Sequence, residues 1–369
     1  MQRVQGLGRS GAAGSAAPPV PELPAVPPMT APELREVYRL MSSVRRLDEA
    51  AVAWQRQGIL PAYAPLLGQE AAQVGSAFAV DRERDFLFPT YREAGVARTL
   101  GVDMVEYMST HRATWHGGLW DAAEHRLAPI QAVVAGSVLH AVGWAHGQRL
   151  AAASPGDPQD PVGGLGVAVA YLGDGASSQG DVHEAMNIAA VFAAPVVFFV
   201  QNNGWAISVP TERQVAGGSV AARGAGYGMP ALRIDGNDAE AVVSATRRAL
   251  AYARAGRGPV IVEAVTYRRG PHSTADDPGR YRTLDDERRD AGADPLERLR
   301  ARLLGEGLAN EAFVAECDAA AAAEAEAVRE GVLALGPRPG AEMFDLVFAE
   351  PTEELLRQKA QWRKESEHG

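Results

Sequence analysis

The chain has 369 residues, 46% of them hydrophobic and 22% charged, with a formal net charge of -10 and one cysteine. That apolar share suits one large α/β unit or two ordinary domains and excludes a wholly disordered chain. No apolar run reaches membrane-spanning length, no basic stripe with interleaved aromatics marks a nucleic-acid surface, and Cys317 alone builds neither an internal disulfide nor a cysteine-based metal cluster, which points to a reducing, cytoplasmic setting.

Residues 1–29 are dominated by Gly, Ala and Pro without periodicity and read as a disordered or loosely docked arm. Arg3 and Arg9 fit a targeting peptide, but the stretch lacks an apolar core and its prolines spoil an amphipathic helix. Thr30 and Glu33 form a capping-box pair, and apolar residues at Leu34, Val37, Met41, Val44, Leu47, Ala51 and Trp54 predict a helix to about Gly58. Further along, Leu165–Leu172 is a continuous apolar run, as in a strand buried on both faces. Asp181 and Glu184 predict a second capping box, opening a helix to about Ala193. Pro195–Val200, Ala231–Asp235 and Pro259–Val265 read as three more strands, and Asp238 caps a helix to about Ala255. This alternation predicts a three-layer, doubly wound parallel α/β sheet. Residues 268–290 form a long polar loop, 295–335 turn helical and Ala-rich, and 351–365 form a last helix. The domain reading is an arm over 1–29, an α/β domain over 30–300 and a helical extension over 301–369.

The segment YLGDGASSQGDVHEAMNIAAVFAAPVVFFVQNNGWAISVP, residues 171–210, carries the chemistry. Asp174 follows one predicted strand and Asn203 follows the next. A right-handed crossover makes those strands parallel, so both residues face the crevice where open α/β sheets bind ligands. A carboxylate with an amide oxygen suits Mg²⁺, which completes its octahedron with water and phosphate. The glycines of GDGASSQG allow close approach of a diphosphate. A dinucleotide turn needs a different glycine spacing, and an NN pair alone is an ordinary turn.

GDG followed by about thirty residues and NN resembles the thiamine-diphosphate fingerprint of transketolase-like enzymes. The wider text resembles the α subunit of the E1 component of 2-oxo acid dehydrogenase complexes, through GQEAAQVG (68–75), PTYREAG (89–95), RIDGNDAEAV (233–242) and YRRGPHSTADDPGRYR (267–282). The resemblance implies that Asp174, Asn203 and the main-chain carbonyl of Trp205 hold Mg²⁺. It implies thiamine-diphosphate contacts from Gly173, Asp174, Gly175, Ala176, Gln201, Asn203 and Trp205, from Tyr91 and Arg92, from Val134 as the wedge beneath the bent cofactor, and from Arg268 and His272. His272 would also be the catalytic proton donor, a role that the ordinary imidazole range suits.

The reaction so implied is oxidative decarboxylation of a 2-oxo acid with reductive acylation of a lipoyl group on E2. The glutamate that acts on the cofactor's aminopyrimidine belongs, in this family, to a separate E1 β subunit. The expected assembly is therefore an α2β2 heterotetramer, with the apolar helix 34–54 and the Ala-rich C-terminal region as interface surface. YREAGV and HSTADD lean towards branched-chain 2-oxo acids, whereas GPH and DDPGRYR are shared with pyruvate-type subunits. An acetoin dehydrogenase α subunit and a non-catalytic scaffold are the alternatives. No nucleic acid and no membrane is expected as partner.

Overall fold

The computed structural model describes residues 22–112, 118, 120–152, 164–289, 293–345 and 347–366, so residues 1–21 of the expected arm lie outside the described residues. The chain forms two compact units whose segments alternate. The first draws on residues up to Met29, on Ala79–Thr90 and on Gln131–Tyr267, and the second on Thr30–Phe78, Tyr91–Ile130 and Arg268 onward.

The first unit is the α/β sheet. Its strands are β1 (Phe86–Phe88), β2 (Ala168–Gly173), β3 (Val196–Asn202), a two-residue hairpin of β4 (Trp205–Ala206) and β5 (Val209–Pro210), then β6 (Ala231–Asp235) and β7 (Val260–Val265). Five of them make one parallel sheet in the order β1-β2-β3-β7-β6. Every residue of β3 is buried, and β2 and β7 are buried except at their last residues, so helices must cover both faces. Helices Val138–Ala152, Gly180–Val191 and Ala239–Tyr252 supply that cover. The parallel α/β class is the expected one. Asp238 caps Ala239–Tyr252, its side chain accepting from Ala241 N at 3.1 Å. Helix Gly180–Val191 starts otherwise than the residue pattern predicts: Gln179 caps it through its own side chain, and Asp181 with Glu184 forms no capping box. β1 escapes sequence reading because three residues between charged turns carry no usable periodicity.

The second unit is helical. Thr30 and Glu33 close the expected capping box, Thr30 N donating to Glu33 Oε2 at 2.7 Å, and helix Ala31–Arg56 follows. Its buried face, including Leu34, Val37, Met41, Val44, Leu47, Ala51 and Trp54, packs on helix Glu311–Ala334. That packing corrects the expectation of a partner-facing surface for the stripe on helix Ala31–Arg56, which forms part of the unit's own core. Cys317 lies within it, buried and free. The long loop contains one turn of 3-10 helix, Pro278–Arg280, and ends in helix Leu284–Arg289. Among the described residues no helix is long and apolar enough to cross a membrane.

Candidate active site

In the first unit the predicted residues gather at the carboxyl ends of β2 and β3. The register sets Gly173 opposite Gln201, so Asp174 leaves its strand beside Asn202 and Asn203. Asp174 is 1% exposed and Asn203 7%. The Ser177 hydroxyl donates to the Asp174 carbonyl at 2.6 Å, tightening the turn into helix Gly180–Val191. Gly175 sits under the hairpin: a Cβ built on it would lie 2.6 Å from the Ala206 Cβ, so only glycine fits. Ala176 opens a short 3-10 turn just before that helix, whose N-terminal backbone dipoles favour an anion. Trp205 N donates to Asn203 Oδ1 at 3.3 Å, bending the chain so that the Trp205 main chain stays at the strand end. Gln201 is buried within β3.

Two residues outside the motifs, Thr211 and Glu263, extend this site together with Asn202 of the NN pair. The Thr211 Oγ1 lies 2.7 Å from Asp174 Oδ2 and 3.0 Å from Asn202 Oδ1. Asn202 Nδ2 donates to Glu263 Oε1 at 2.8 Å. Glu263 Oε2 accepts from Ser219 Oγ at 2.6 Å and from Ala221 N at 2.9 Å. Burial alone would raise the Glu263 carboxyl, but the hydrogen bonds from Ser219, Ala221 and Asn202 outweigh it and hold the group below its ordinary range. The one available signal was a lone charged residue inside the apolar run PVIVEAV. Val134 lies apart from the core, 52% exposed in the turn before helix Val138–Ala152, which excludes a plain core aliphatic.

In the second unit Tyr91, Arg92, Arg268 and His272 do come together. Arg92 Nη2 donates to the His272 carbonyl at 2.9 Å and lies 3.2 Å from His272 Nδ1. Arg268 Nη1 lies 3.5 Å from the same Nδ1, and the Tyr91 and His272 rings meet edge-on at 6.1 Å. A guanidinium only donates, so Nδ1 accepts and the proton of the neutral ring sits on Nε2. Burial, reinforced by the charges of Arg92 and Arg268 and opposed by Asp276, lowers His272 to about 4. The ordinary imidazole range invoked from sequence therefore does not hold here, and the ring is neutral at pH 7. Arg268 is itself lowered to about 10 by burial and by the like charges of Arg282 and Arg92. Asp276 accepts from His272 N at 2.8 Å and from the Tyr281 hydroxyl.

The loop 59–68 backs this cluster. Asp48 Oδ1 accepts from Tyr63 OH and Leu66 N, both at 2.8 Å, and Oδ2 from Leu67 N at 3.2 Å. Pro65 O in turn accepts from Arg92 Nη1 at 2.6 Å, and Tyr63 O from Thr274 N at 2.8 Å. Burial pushes the Asp48 carboxyl up to about 7.

Each set, taken by itself, has the chemistry of one part of the group that the resemblance implied. At the strand ends one carboxylate stands with amide and main-chain oxygens, a hard-oxygen set for a small divalent cation. Among the described residues no three of His, Cys, Asp and Glu cluster to hold a metal, so a cation at Asp174 must complete its shell with amide, carbonyl, water or phosphate oxygens. The buried guanidiniums around His272 repel one another, and an anion relieves that repulsion.

Such a sheet, with oxygen donors at its strand ends and a glycine turn feeding a helix, belongs to the parallel α/β class whose strand ends form a ligand crevice. Comparison narrows the class. The model of the dehydrogenase E1 component family matches residues 38–332, and the chain belongs to that family. It is 45% identical over 333 residues to the 3-methyl-2-oxobutanoate dehydrogenase subunit alpha of Mycobacterium tuberculosis, covering 90% of this chain and 87% of the relative. It is 38% identical over 284 residues to the pyruvate dehydrogenase E1 component subunit alpha of Staphylococcus aureus, covering 77% and 73%.

Proposed function

We propose that the chain is the α subunit of a 2-oxo acid dehydrogenase E1, an oxidoreductase that decarboxylates a 2-oxo acid and passes the acyl group to lipoyl-E2. The convergence of Asp174, Asn202 and Thr211 at the ends of β2 and β3, in a chain of the E1 family, carries the reading. Asp174, Asn203 and the Trp205 carbonyl would hold Mg²⁺, and the backbone of Gly173, Gly175 and Ala176 would line the diphosphate, with Gln201 beside them and Val134 as the wedge. The same reading assigns Tyr91, Arg92 and Arg268 to the cofactor's anionic part. Bound thiamine diphosphate supplies a nucleophilic carbon and an electron sink for decarboxylation.

The protein's own work is to place charge and a proton. His272, neutral with its proton on Nε2, is suited to donating a hydrogen bond through that atom. An anion beside Arg92 and Arg268 would offset their charge and raise the ring towards the range of a working acid. Among substrates, branched-chain 2-oxo acids are favoured over pyruvate, because the 3-methyl-2-oxobutanoate relative is more identical over more of the chain. The partners are a β subunit, in an α2β2 assembly, and the E2 lipoyl domain, in the cytoplasm.

The test is co-expression with the cognate β subunit, followed by decarboxylation assays with thiamine diphosphate and Mg²⁺. Pyruvate and 3-methyl-2-oxobutanoate are compared side by side, with Asp174→Ala as control. Turnover of the branched substrate, lost in the variant, is expected. Full turnover by Asp174→Ala would remove the site assignment. Absence of both turnover and cofactor binding would favour a non-catalytic scaffold.

A further inference from the structure

Thr211 opens the one-turn helix Thr211–Gln214 directly after β5, and its N donates to Gly204 O at 3.0 Å, which closes the hairpin segment on itself. Its hydroxyl has one proton and faces two acceptors. The orientation of Asn202 is settled by Glu263: Nδ2 must point at that carboxylate, so Oδ1 must point at Thr211. The carboxylate of Asp174 is the stronger acceptor and the nearer, 2.7 Å against 3.0 Å, so the Thr211 proton goes to Asp174 Oδ2. This chain of contacts is buried, with Glu263 at 0%, Asn202 at 3%, Asp174 at 1% and Thr211 at 9% exposure, so water does not compete easily for the bonds.

The bond has a consequence for cation choice. A cation that grips Asp174 through both oxygens competes with Thr211 for the electron density of Oδ2, whereas one that uses Oδ1 alone leaves that bond at full strength. Mg²⁺ takes single carboxylate oxygens in a small octahedron. Ca²⁺ is larger, takes six to eight ligands and often uses both oxygens of a carboxylate. We propose that Thr211, seated by the bond from its main-chain N to Gly204 O, is a positioning residue that holds Asp174 for single-oxygen coordination and so selects Mg²⁺ over Ca²⁺. The proposal rests on the metal reading of Asp174 given above.

The experiment measures metal affinity of the assembled E1, in the presence of thiamine diphosphate, by titrating Mg²⁺ and Ca²⁺ separately and following heat of binding. Thr211→Val should weaken Mg²⁺ by roughly tenfold, the loss of one charge-assisted hydrogen bond, while Ca²⁺ changes by about twofold or less, so the preference shrinks. Thr211→Ser keeps the hydroxyl and should restore the wild-type ratio. Thr211→Ala, which also lacks the hydroxyl, should shift the ratio in the same direction, and it stands in should the valine variant fail to fold. An unchanged ratio in Thr211→Val, or an equal loss for both cations, overturns the proposal. Asp174→Asn separates the two levels: if it binds both cations as the wild type does, the underlying metal reading fails rather than the role of Thr211.

Discussion

The strand-end region around Asp174 and the loop region around His272 are built on opposite electrostatic plans. In the first, acceptors dominate: the oxygens of Asp174, Asn202 and Glu263 are separated by donors that keep them from facing one another unscreened. In the second, donors dominate: Arg92 and Arg268 crowd one imidazole nitrogen, and Asp276 is the carboxylate that moderates them. The first region seeks a cation and the second an anion. The means of construction differ too. The end of the fully buried strand β3 gives rigid placement, whereas the His272 loop is held by backbone carbonyls, such as Pro65 O, and by the Asp48 anchor behind them.

Breaking each side of this contrast has a defined outcome. Asp174→Ala removes the only carboxylate proposed for the metal and should lower decarboxylation by more than ~100-fold in the assembled enzyme, beyond the loss typical of outer partners. Gly175→Ala leaves the charges alone but drives a Cβ to 2.6 Å from Ala206, and should cost about 1–3 kcal/mol in a urea unfolding measurement. Asp48→Ala deprives Tyr63 OH, Leu66 N and Leu67 N of their acceptor. It should destabilise by about 2–3 kcal/mol and weaken the grip on Arg92.

A titration followed by NMR sharpens the contrast with a smaller effect. His272 should titrate near 4 in the protein without added anion, and inorganic pyrophosphate should raise that midpoint by about one unit or more. No rise would mean that the guanidiniums do not take the anion. A further effect is on stability against pH. His272 and His111 are both lowered to about 4, His111 by burial alone. Between about 6.5 and 4 the unfolded chain binds protons that the folded chain refuses, so their contribution is present above that window and lost as pH falls through it. Asp48, raised to about 7, works in the opposite direction over the same range, so the test is the difference between proteins: on going from pH 7 to pH 4.5 the urea midpoint of His111→Phe should fall less, or rise more, than that of the wild type.

How much of this was legible beforehand follows the range of the interactions. The continuous apolar runs marked the buried strands, and the GDG and NN motifs marked the strand ends, because burial and turn chemistry are written in neighbouring residues. Thr211 and Glu263 were not legible as part of the site: their partners stand 37 and 61 positions away, and no local period reports such a bond. The partner-facing role expected of the apolar stripe on helix 31–56 failed for a related reason. Amphipathicity reveals that a face must be covered but not by what, and here Glu311–Ala334 covers it.

The amino-acid sequence by itself determined the parallel α/β class, the caps at Thr30 and Asp238, and the placement of Asp174 and Asn203 at strand ends, since each depends on contacts within a few residues or on a single crossover. Tertiary structure alone decided the proton affinity of His272, whose charged neighbour Arg92 lies 180 positions away, and the bond from Thr211 to Asp174, 37 positions apart. Proton affinity and hydrogen-bond direction are set by which groups share a buried volume, and chain order does not encode that until the chain has folded.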